Sequence, residues 1–254
     1  MKKLIVLAVA FVAASFLTSA QAQTTEGKAV VRAVRGTAKY STGGGVWAPL
    51  KVGTVLRPGS TIQTAADSQV DCFLGANGPV VRVTADTTMA FEKLGITKTD
   101  ADSVIDTELN LSSGRILGNV KKLAAASKYE VKVPNGVAGI RGTDYEVRVA
   151  RNSDGTFTVT VTCVTGQVVA AVVVNGVTRT AVLGDKQTWS SISDQPPRPL
   201  TQAEVDVVLK EIPGYVDQGG VILVGGNITL NPTSQTGSSN GTDSNSEPPP
   251  VSTP

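Results

Sequence analysis

Histidine, the residue that most often does acid-base chemistry in proteins, does not occur in this chain. None of the 254 residues is a histidine, so the commonest general base and the commonest metal-binding imidazole are both missing. A serine or cysteine nucleophile would also lack its usual activating partner. These absences remove most classes of hydrolase, and we expect no catalytic residues, no cofactor and no metal site.

Two pairs of carboxylates remain as candidates for chemistry. Asp144 and Glu146 are two positions apart on a predicted strand and therefore share a face, as the acid and base of a glycosidase could. The chain has few aromatic residues to line a sugar cleft, and we expect both charges to face solvent. Asp100 and Asp102 could contribute to a calcium loop, but the glycine turn and the distal bidentate glutamate of such a loop are missing. We interpret both pairs as polar surface.

A glycine-rich run with one arginine, residues 135–147, is the most distinctive part of the sequence. Its three glycines supply backbone geometry that other residues resist, and they predict a chain that bends sharply before an alternating strand. We expect a structural motif that consists of Gly139, Arg141, Gly142 and Thr143.

Arg141 stands between two of these glycines. Its guanidinium could be held against a carboxylate or backbone carbonyls as a structural latch, which is our expectation, or be offered to an anionic partner. The tetrapeptide around it recurs approximately as Val34-Arg-Gly-Thr37. Four residues are too few to establish an internal repeat, because two equivalent strand-and-turn pieces would give the same similarity.

Trp47 lies beside a glycine-rich tip and Pro49. An exposed tryptophan at such a tip, with Tyr40 nearby, could stack on polysaccharide. Trp47 is therefore the candidate ligand contact of a carbohydrate-binding alternative, and core packing is the other interpretation of the same residue.

The elements that must position these residues are mostly strands. Between residues 28 and 192, short valine-rich runs alternate with glycine, proline and Asp/Asn turns, a pattern typical of an all-β fold. In the clearest strand, apolar residues from Phe157 to Cys163 alternate with threonines, as expected when one face is buried. Asp154-Gly155 and Asn175-Gly176 predict tight hairpin turns. We therefore predict a compact antiparallel β-sandwich or β-roll.

One short helix is predicted after this β body. Thr201 and Glu204 form a capping box, and a stripe of apolar residues follows on one face until Pro213-Gly214 ends the helix. The stripe consists of Val205, Val208, Leu209 and Ile212, and should pack on the β body. The run 221–224 is a brief apolar strand flanked by glycines, which could complete the sheet or pair with a partner chain. We expect the first, because an uncovered apolar edge promotes aggregation. Residues 193–230 thus form a helical and short-strand appendage.

The two ends of the chain indicate where in the cell the protein is located. Residues 1–22 have the basic start, apolar run and small-x-small site of a cleavable signal peptide, and the apolar run is shorter than the roughly 20 residues that cross a bilayer. Residues 231–254 are rich in Ser, Thr, Asn, Gly and Pro and are predicted to be disordered. Without Lys2 and Lys3 the formal net charge falls from +2 to zero. We expect an exported periplasmic or secreted protein that binds neither nucleic acid nor a membrane.

Export also bears on the two cysteines, Cys72 and Cys163. Both fall on the predicted inward faces of their strands, and oxidising surroundings permit a disulfide between them. The sequence alone does not show whether the two side chains meet. A bridge and a pair of buried free thiols both remain open.

The order of the glycines and apolar residues resembles the FecR domain of bacterial envelope proteins. The resemblance covers residues 28–187, and the Ile-Arg-Gly-Thr run is its most specific part. The matching positions are Trp47, Leu50, Gly53, Leu56, Gly59, Ile62, Thr64, Ser68, Leu109, Gly114, Arg115, Lys132, Val133, Pro134, Gly139, Ile140, Arg141, Gly142, Thr143, Val147, Val159, Val161, Gly166 and Val168.

This resemblance implies a compact, β-rich extracytoplasmic module. In the best-known members the module relays the signal of an outer-membrane receptor to gene control, and a cytoplasmic anti-sigma segment and a transmembrane helix precede it. Here a signal peptide leads directly into the module, so the chain is most similar to stand-alone secreted FecR-like proteins. The regular place of Trp47 in the pattern favours core packing for that residue.

The sequence as a whole predicts a non-enzymatic extracytoplasmic module with an envelope protein as its partner, acting in signalling or as a scaffold. The alternative is a carbohydrate-binding protein of the envelope, for which polysaccharide would be the ligand and Trp47 its contact.

Overall fold

The computed structural model describes residues 24–99 and 102–212 in full, and the backbone of residues 215–216, 221–224 and 227–230. The predicted signal peptide and the predicted disordered tail lie outside the described residues, as does Asp100. None of the helices in the described part of the chain has both the length and the apolarity needed to cross a membrane.

The described residues form many strands and one α-helix. The strands are β1 (Thr24–Glu26), β2 (Ala29–Arg35), β3 (Ala38–Thr42), β4 (Ala48–Pro49), β5 (Val55–Leu56), β6 (Ser60–Thr64), β7 (Gln69–Phe73), β8 (Val80–Val83), β9 (Thr88–Lys98), β10 (Ser103–Asn119), β11 (Lys128–Val133), β12 (Gly136–Arg151), β13 (Phe157–Val174), β14 (Val177–Leu183), β15 (Gln187–Ser190), β16 (Arg198–Pro199), β17 (Tyr215–Val216), β18 (Val221–Val224) and β19 (Asn227–Leu230). The helix is α1 (Gln202–Glu211), and a 3₁₀ turn covers Gly75–Asn77.

Strands β1 to β16 belong to one continuous sheet. Every strand pair in it is antiparallel except β10–β11, which is parallel. One sheet that surrounds one core corresponds to the roll among the two predicted alternatives, and the prediction of an all-β fold with one short helix is confirmed. The sheet also includes β16, which lies beyond the predicted boundary at residue 192.

Three long strands hold the roll together because each pairs with different neighbours along its length. The first half of β10 pairs with β9, and its second half, from Gly114 onward, pairs with β12. β12 in turn pairs with β11 near its start and with β13 along most of its length. The second half of β13 carries β14, whereas its first half carries β15. Residues in the middle of these strands therefore lie where one set of neighbours gives way to another.

The core lies inside the roll and is built from alternate residues of the strands. Val159, Val161 and Cys163 all face it and are almost completely buried, which confirms the alternation predicted for β13. Trp189 belongs to the same core.

Both predicted hairpin turns are present, between β12 and β13 and between β13 and β14. Asn175 and Gly176 have φ values of 50° and 77°, the left-handed conformation that a two-residue type I′ turn requires at both central positions. The long β13–β14 hairpin is therefore specified locally by its turn.

Helix α1 packs on the outer face of the roll. Its capping box is present, since the side chain of Thr201 accepts from the backbone N–H of Glu204 and the Glu204 side chain accepts from the backbone N–H of Thr201. Val205, Val208 and Ile212 are buried in a second apolar cluster with Leu117 and Val164 of the sheet. The predicted cap and apolar stripe of this helix are both confirmed.

Strand β18 differs from its prediction. It pairs with β17 and β19 in a separate three-stranded antiparallel sheet, rather than completing the main one. Short segments on either side of β18 supply the partners that satisfy its backbone hydrogen bonds.

Candidate functional site

The predicted glycine-arginine motif lies in the middle of β12, at an irregularity in its pairing with β13. The register between the two strands shifts on either side of Asp144. Gly142 adopts a φ of 58°, and Gly166 on the facing strand adopts a φ of 84°. Side chains other than glycine resist this left-handed region, so the bend predicted at Gly142 has the expected cause.

Thr143 holds this irregularity in place. Its hydroxyl lies 2.9 Å from the carbonyl oxygen of Arg141 and 3.1 Å from that of Gln167, and is shared between them. Its backbone N–H donates to the carbonyl of Val120 at 2.8 Å, and the N–H of Val120 donates back at 2.9 Å. The residue is 1% exposed, so Thr143 is a structural part of the motif.

Gly139 does not share the role of Gly142. Its φ lies outside the left-handed region, and a Cβ atom at this position would meet only the carbonyl oxygen of Val169, at an ordinary 3.8 Å. Neither the backbone nor the packing therefore requires a glycine. The sharp bend predicted at Gly139 is absent, because β12 continues there as regular extended strand paired with β11 and β13.

Arg141 is exposed on the outer face of the sheet. Among the described residues its guanidinium makes one hydrogen bond, a long one of 3.4 Å from Nη2 to the carbonyl oxygen of Ala125. No carboxylate of the described chain forms an ion pair with it. The contact with Ala125 is of the kind expected for a latch but is weak at this length, and most of the guanidinium donors face solvent.

A shallow depression surrounds Arg141 and Gly139. It has a volume of about 210 Å³. Its lining residues come from three adjacent strands and the turn before them: Ser127, Lys128, Tyr129, Glu130, Gly139, Ile140, Arg141, Gln167 and Val169. The two motif residues that are not explained by backbone geometry thus line the same concave surface.

The candidate acid-base pair, Asp144 and Glu146, is buried rather than solvent-facing, with 1% and 7% exposure. Asp144 accepts hydrogen bonds from Asn119 Nδ2 at 2.6 Å and from Thr165 Oγ1 at 3.0 Å. Glu146 accepts from Arg115 Nη2 at 2.6 Å. The expectation that both charges face solvent is wrong, because partners on neighbouring strands cover them and occupy the oxygens that chemistry would need.

An ionic cluster under the end of helix α1 is the main feature that sequence reasoning missed. Arg115 bridges Glu146 of the sheet and Glu211 of the helix. Arg82 forms a bidentate pair with Asp71, both bonds being 2.7 Å, and donates to the carbonyl oxygen of Glu211 at 2.6 Å. Two arginines of the sheet therefore fix the last turn of the helix. The position of Arg115 in the family resemblance was the one available indication.

Cys72 and Cys163 are buried on β7 and β13 and are both free thiols in the structure. Burial, assisted by the charge of Asp71, raises the pKa of the Cys72 thiol far above its usual range. Burial, with Asp185 and Asp144 nearby, raises the pKa of Cys163 to about 12. Of the two alternatives left open by the sequence, the structure has the unbridged one.

Trp47 is 42% exposed, so the expectation that it packs in the core is wrong. It lies in the loop that leads into the very short strand β4, and Lys39 Nζ lies over its ring, 5.0 Å from the ring centroid. Tyr40, its proposed companion, is instead half-buried against the core. One exposed aromatic therefore remains at this tip.

The β13–β14 hairpin carries a second exposed surface that sequence reasoning missed. Three valines on its outer face are 43–56% exposed: Val169, Val173 and Val182. Val169 and Val182 are directly paired across the two strands. The unbroken valine-rich run at the end of β13 could have indicated this surface, because a strand with valines on successive positions has to place some of them outside.

No cluster of three or more metal-ligating side chains occurs among the described residues. The part of the chain that the structure describes is thus an all-β roll with an outer helix, two exposed surfaces on β11–β14, and carboxylates that are locked in hydrogen bonds.

Residues 60–169 match the model of the FecR protein family, which confirms the resemblance predicted from the sequence. Two crystal structures of a candidate anti-sigma factor from Parabacteroides distasonis are similar to the chain, with TM-scores of 0.44 and 0.43 and sequence identities of 14% and 15%. Each similarity covers 61% of this chain and 66% of the other, so this chain spans just under two thirds of the length of those proteins. No curated protein matches the chain in sequence.

Proposed function

We propose that this protein is a non-enzymatic, extracytoplasmic FecR-type module that binds an envelope protein and acts there in signalling or as a scaffold. The FecR match over residues 60–169 supports a signalling or regulatory module. The signal peptide predicted over residues 1–22 supports an extracytoplasmic location. The buried and paired state of Asp144 and Glu146 supports a role without catalysis.

The observation that carries the binding role is the exposed valine surface of the β13–β14 hairpin. Single exposed apolar residues are ordinary on protein surfaces, but a contiguous group of them marks an interaction site. Val169 and Val182 are cross-strand partners, and Val173 lies on the same face of β13. A partner that covers this face removes apolar surface from water, which favours association.

The free edge of β14 indicates that the partner is a polypeptide. Within the described residues β14 pairs only with β13, so one row of its backbone N–H and C=O groups is open. An extended segment of another protein can pair with such an edge and place alternate side chains on the neighbouring face. A sugar or lipid offers no matching row of amide groups.

The test begins with affinity purification of the full chain from envelope extract of the source organism. Each co-purified protein is then produced alone and titrated against the full chain. We expect one of them to bind and to slow amide hydrogen exchange along residues 177–183. Val182→Lys should weaken this binding by about tenfold or more, because a charge on the edge opposes strand addition.

The matched control is Val52→Lys. Val52 is 63% exposed and Val182 is 56% exposed, and Val52 lies far from the hairpin in the sequence. It should leave affinity unchanged. Recovery of no specific partner, or equal losses of affinity in the two variants, would overturn the proposal.

The exposure of Trp47 favours carbohydrate binding as a second candidate function. An exposed indole can stack on a sugar ring, and Trp47 is 42% exposed although the Lys39 ammonium lies over its ring. This function predicts retention of the full chain on envelope polysaccharide and loss of that retention in Trp47→Ala with the fold intact. Retention that is equal in the wild type and in Trp47→Ala rejects it.

A further inference from the structure

The depression around Gly139 has an ordered arrangement of side chains because it spans three paired strands. Glu130 of β11 pairs with Gly139 of β12, and Gly139 pairs with Val169 of β13. In the next row, Arg141 pairs with Gln167. These residues lie on one face, since positions two apart on a strand point the same way.

Gly139 opens the floor of this surface. A Cβ atom there would meet nothing closer than 3.8 Å, so the fold tolerates a side chain, but any larger group would occupy the depression itself. The absence of a side chain at Gly139 therefore keeps the depression open and is not required for the packing of β12.

The walls supply unpaired hydrogen-bond donors. Arg141 keeps all but one of its donors free of the described chain, and Lys128 and the Gln167 side chain make no hydrogen bond or ion pair with any described residue. A guanidinium presents parallel N–H groups that match the two oxygens of a carboxylate. A lysine and an amide beside it add further donors for the same oxygens.

Glu130 limits what can bind. It forms no ion pair within the described part of the chain, and its charge opposes an anion placed at the Glu130 end of the depression. A carboxylate is therefore favoured at the Arg141 end, between Lys128 and Gln167. An apolar group attached to it would lie toward Val169 and, beyond it, Val182.

We propose that the depression over Gly139 is a carboxylate-binding site in which Arg141 is the main ligand contact and Val169 receives an adjoining apolar side chain. The inference rests on the proposed function and deepens it, because the ligand is then a carboxylate of the protein partner. That carboxylate is either an acidic side chain next to an apolar residue or the chain terminus itself.

The test uses three short peptides and the isotopically labelled full chain, with binding followed by NMR chemical shifts. Acetyl-Ala-Val-Val with a free carboxyl terminus offers a terminal carboxylate, and acetyl-Ala-Glu-Val-amide offers a side-chain carboxylate. Acetyl-Ala-Val-Val-amide has none. We expect at least one of the acids to shift the amides of residues 128–130, 139–141 and 167–169, the amide peptide to leave them unchanged, and added salt to weaken binding.

Variants separate this site from a general attraction to positive charge. Arg141→Gln should weaken binding of the acid by about tenfold or more, and Gly139→Val should abolish it by filling the floor while the melting temperature is kept. The matched control is Arg35→Gln, because Arg35 is exposed and occupies the corresponding position in the second Arg-Gly-Thr sequence. It should bind as the wild type does.

Three outcomes would overturn the inference: no shifts at the depression with either acid, equal binding of the acid and amide peptides, or equal losses in Arg141→Gln and Arg35→Gln. Failure of the proposed function can be distinguished from failure of this inference. A partner that binds through β14 is lost in Val182→Lys whether or not Arg141 matters, whereas the peptides report on the depression without any partner protein.

Discussion

Gly142 and Gly166 touch across β12 and β13, and the two strands could not approach each other so closely if Gly166 carried a side chain. A Cβ atom on Gly166 would overlap the carbonyl oxygen of Gly142 and lie 2.9 Å from that of Arg141. Both glycines also have a left-handed backbone. The pair thus forms the point at which two of the three long strands shift register.

We predict that Gly166→Ala destabilises the protein by about 2–5 kcal/mol, since the left-handed backbone costs about 1–2 kcal/mol and the overlap adds about 1–3 kcal/mol. Gly155→Ala is the control, because Gly155 has the same φ of 84° but open space around it. Gly155→Ala should cost only the contribution of the left-handed backbone, about 1–2 kcal/mol. Urea denaturation measures both, and equal losses would show that the close approach has no energetic role.

A second pair of glycines separates packing from site geometry. Gly139→Ala should change the free energy of unfolding by less than about 1 kcal/mol and in the stabilising direction, since glycine is unfavourable within a strand. Gly136→Ala should destabilise clearly, because its Cβ atom would lie 2.7 Å from Cα of Val172. Urea denaturation measures both changes. A large decrease in the free energy of unfolding of Gly139→Ala would contradict the open space above Gly139.

Helix α1 should depend on its buried face. Val208→Ala removes buried apolar atoms from the cluster with Leu117 and should cost about 1–2 kcal/mol. Val207→Ala next to it, where the valine is 54% exposed, should stay within about 0.5 kcal/mol of the wild type. Denaturation followed by circular dichroism measures the difference, and similar effects of both changes would mean that the helix is not docked.

The helix cap should respond to acid. The hydrogen bond from Arg198, followed by those from Thr201, lowers the pKa of Glu204 to about 2 from an ordinary 4.5. Because the folded-state pKa is the lower one, the stabilisation is complete above about pH 4.5 and is lost as the pH falls toward 2. NMR titration of the Glu204 carboxyl group checks this directly. A midpoint near 4.5 would contradict the cap, and Glu204→Gln should remove the acid dependence of the Thr201 amide.

The cysteines should be unreactive in the folded protein. Burial raises the pKa of both thiols, so little thiolate is present at neutral pH, and the nucleophilic form is the thiolate. We expect slow alkylation of the native protein and two alkylated thiols after denaturation without reductant. Cys72→Ala should reduce that number to one. Failure of the denatured wild type to react would reveal a bridge between Cys72 and Cys163.

Features that depend on local sequence were predictable, and those that depend on distant partners were not. The capping box of α1 lies within four consecutive residues, and the Asn175-Gly176 turn within two. In contrast, Asp144 and Glu146 are buried by Asn119 and Arg115, which come 25 and 31 positions earlier in the chain. The register that brings them together is a property of the whole sheet.

The candidate site shows the same division. Gly139 and Gly142 are the same residue type in the same motif, yet only Gly142 has the left-handed backbone. The difference arises from where β12 shifts register against β13, which the sequence of β12 alone does not contain. Trp47 was similarly ambiguous, since a tryptophan beside a turn suits either a core or a surface.

The position of Glu211 has a consequence for how the protein is made. Arg82 and Glu211 are 129 positions apart, and synthesis delivers the amino-terminal part first. In a nascent chain that has already formed β8, β10, β12 and β13, Leu117 and Val164 remain exposed to solvent until α1 has been synthesised and packs on them. A fragment that ends at residue 169 leaves this apolar surface exposed. The shortest fragment that buries it therefore extends at least to Ile212.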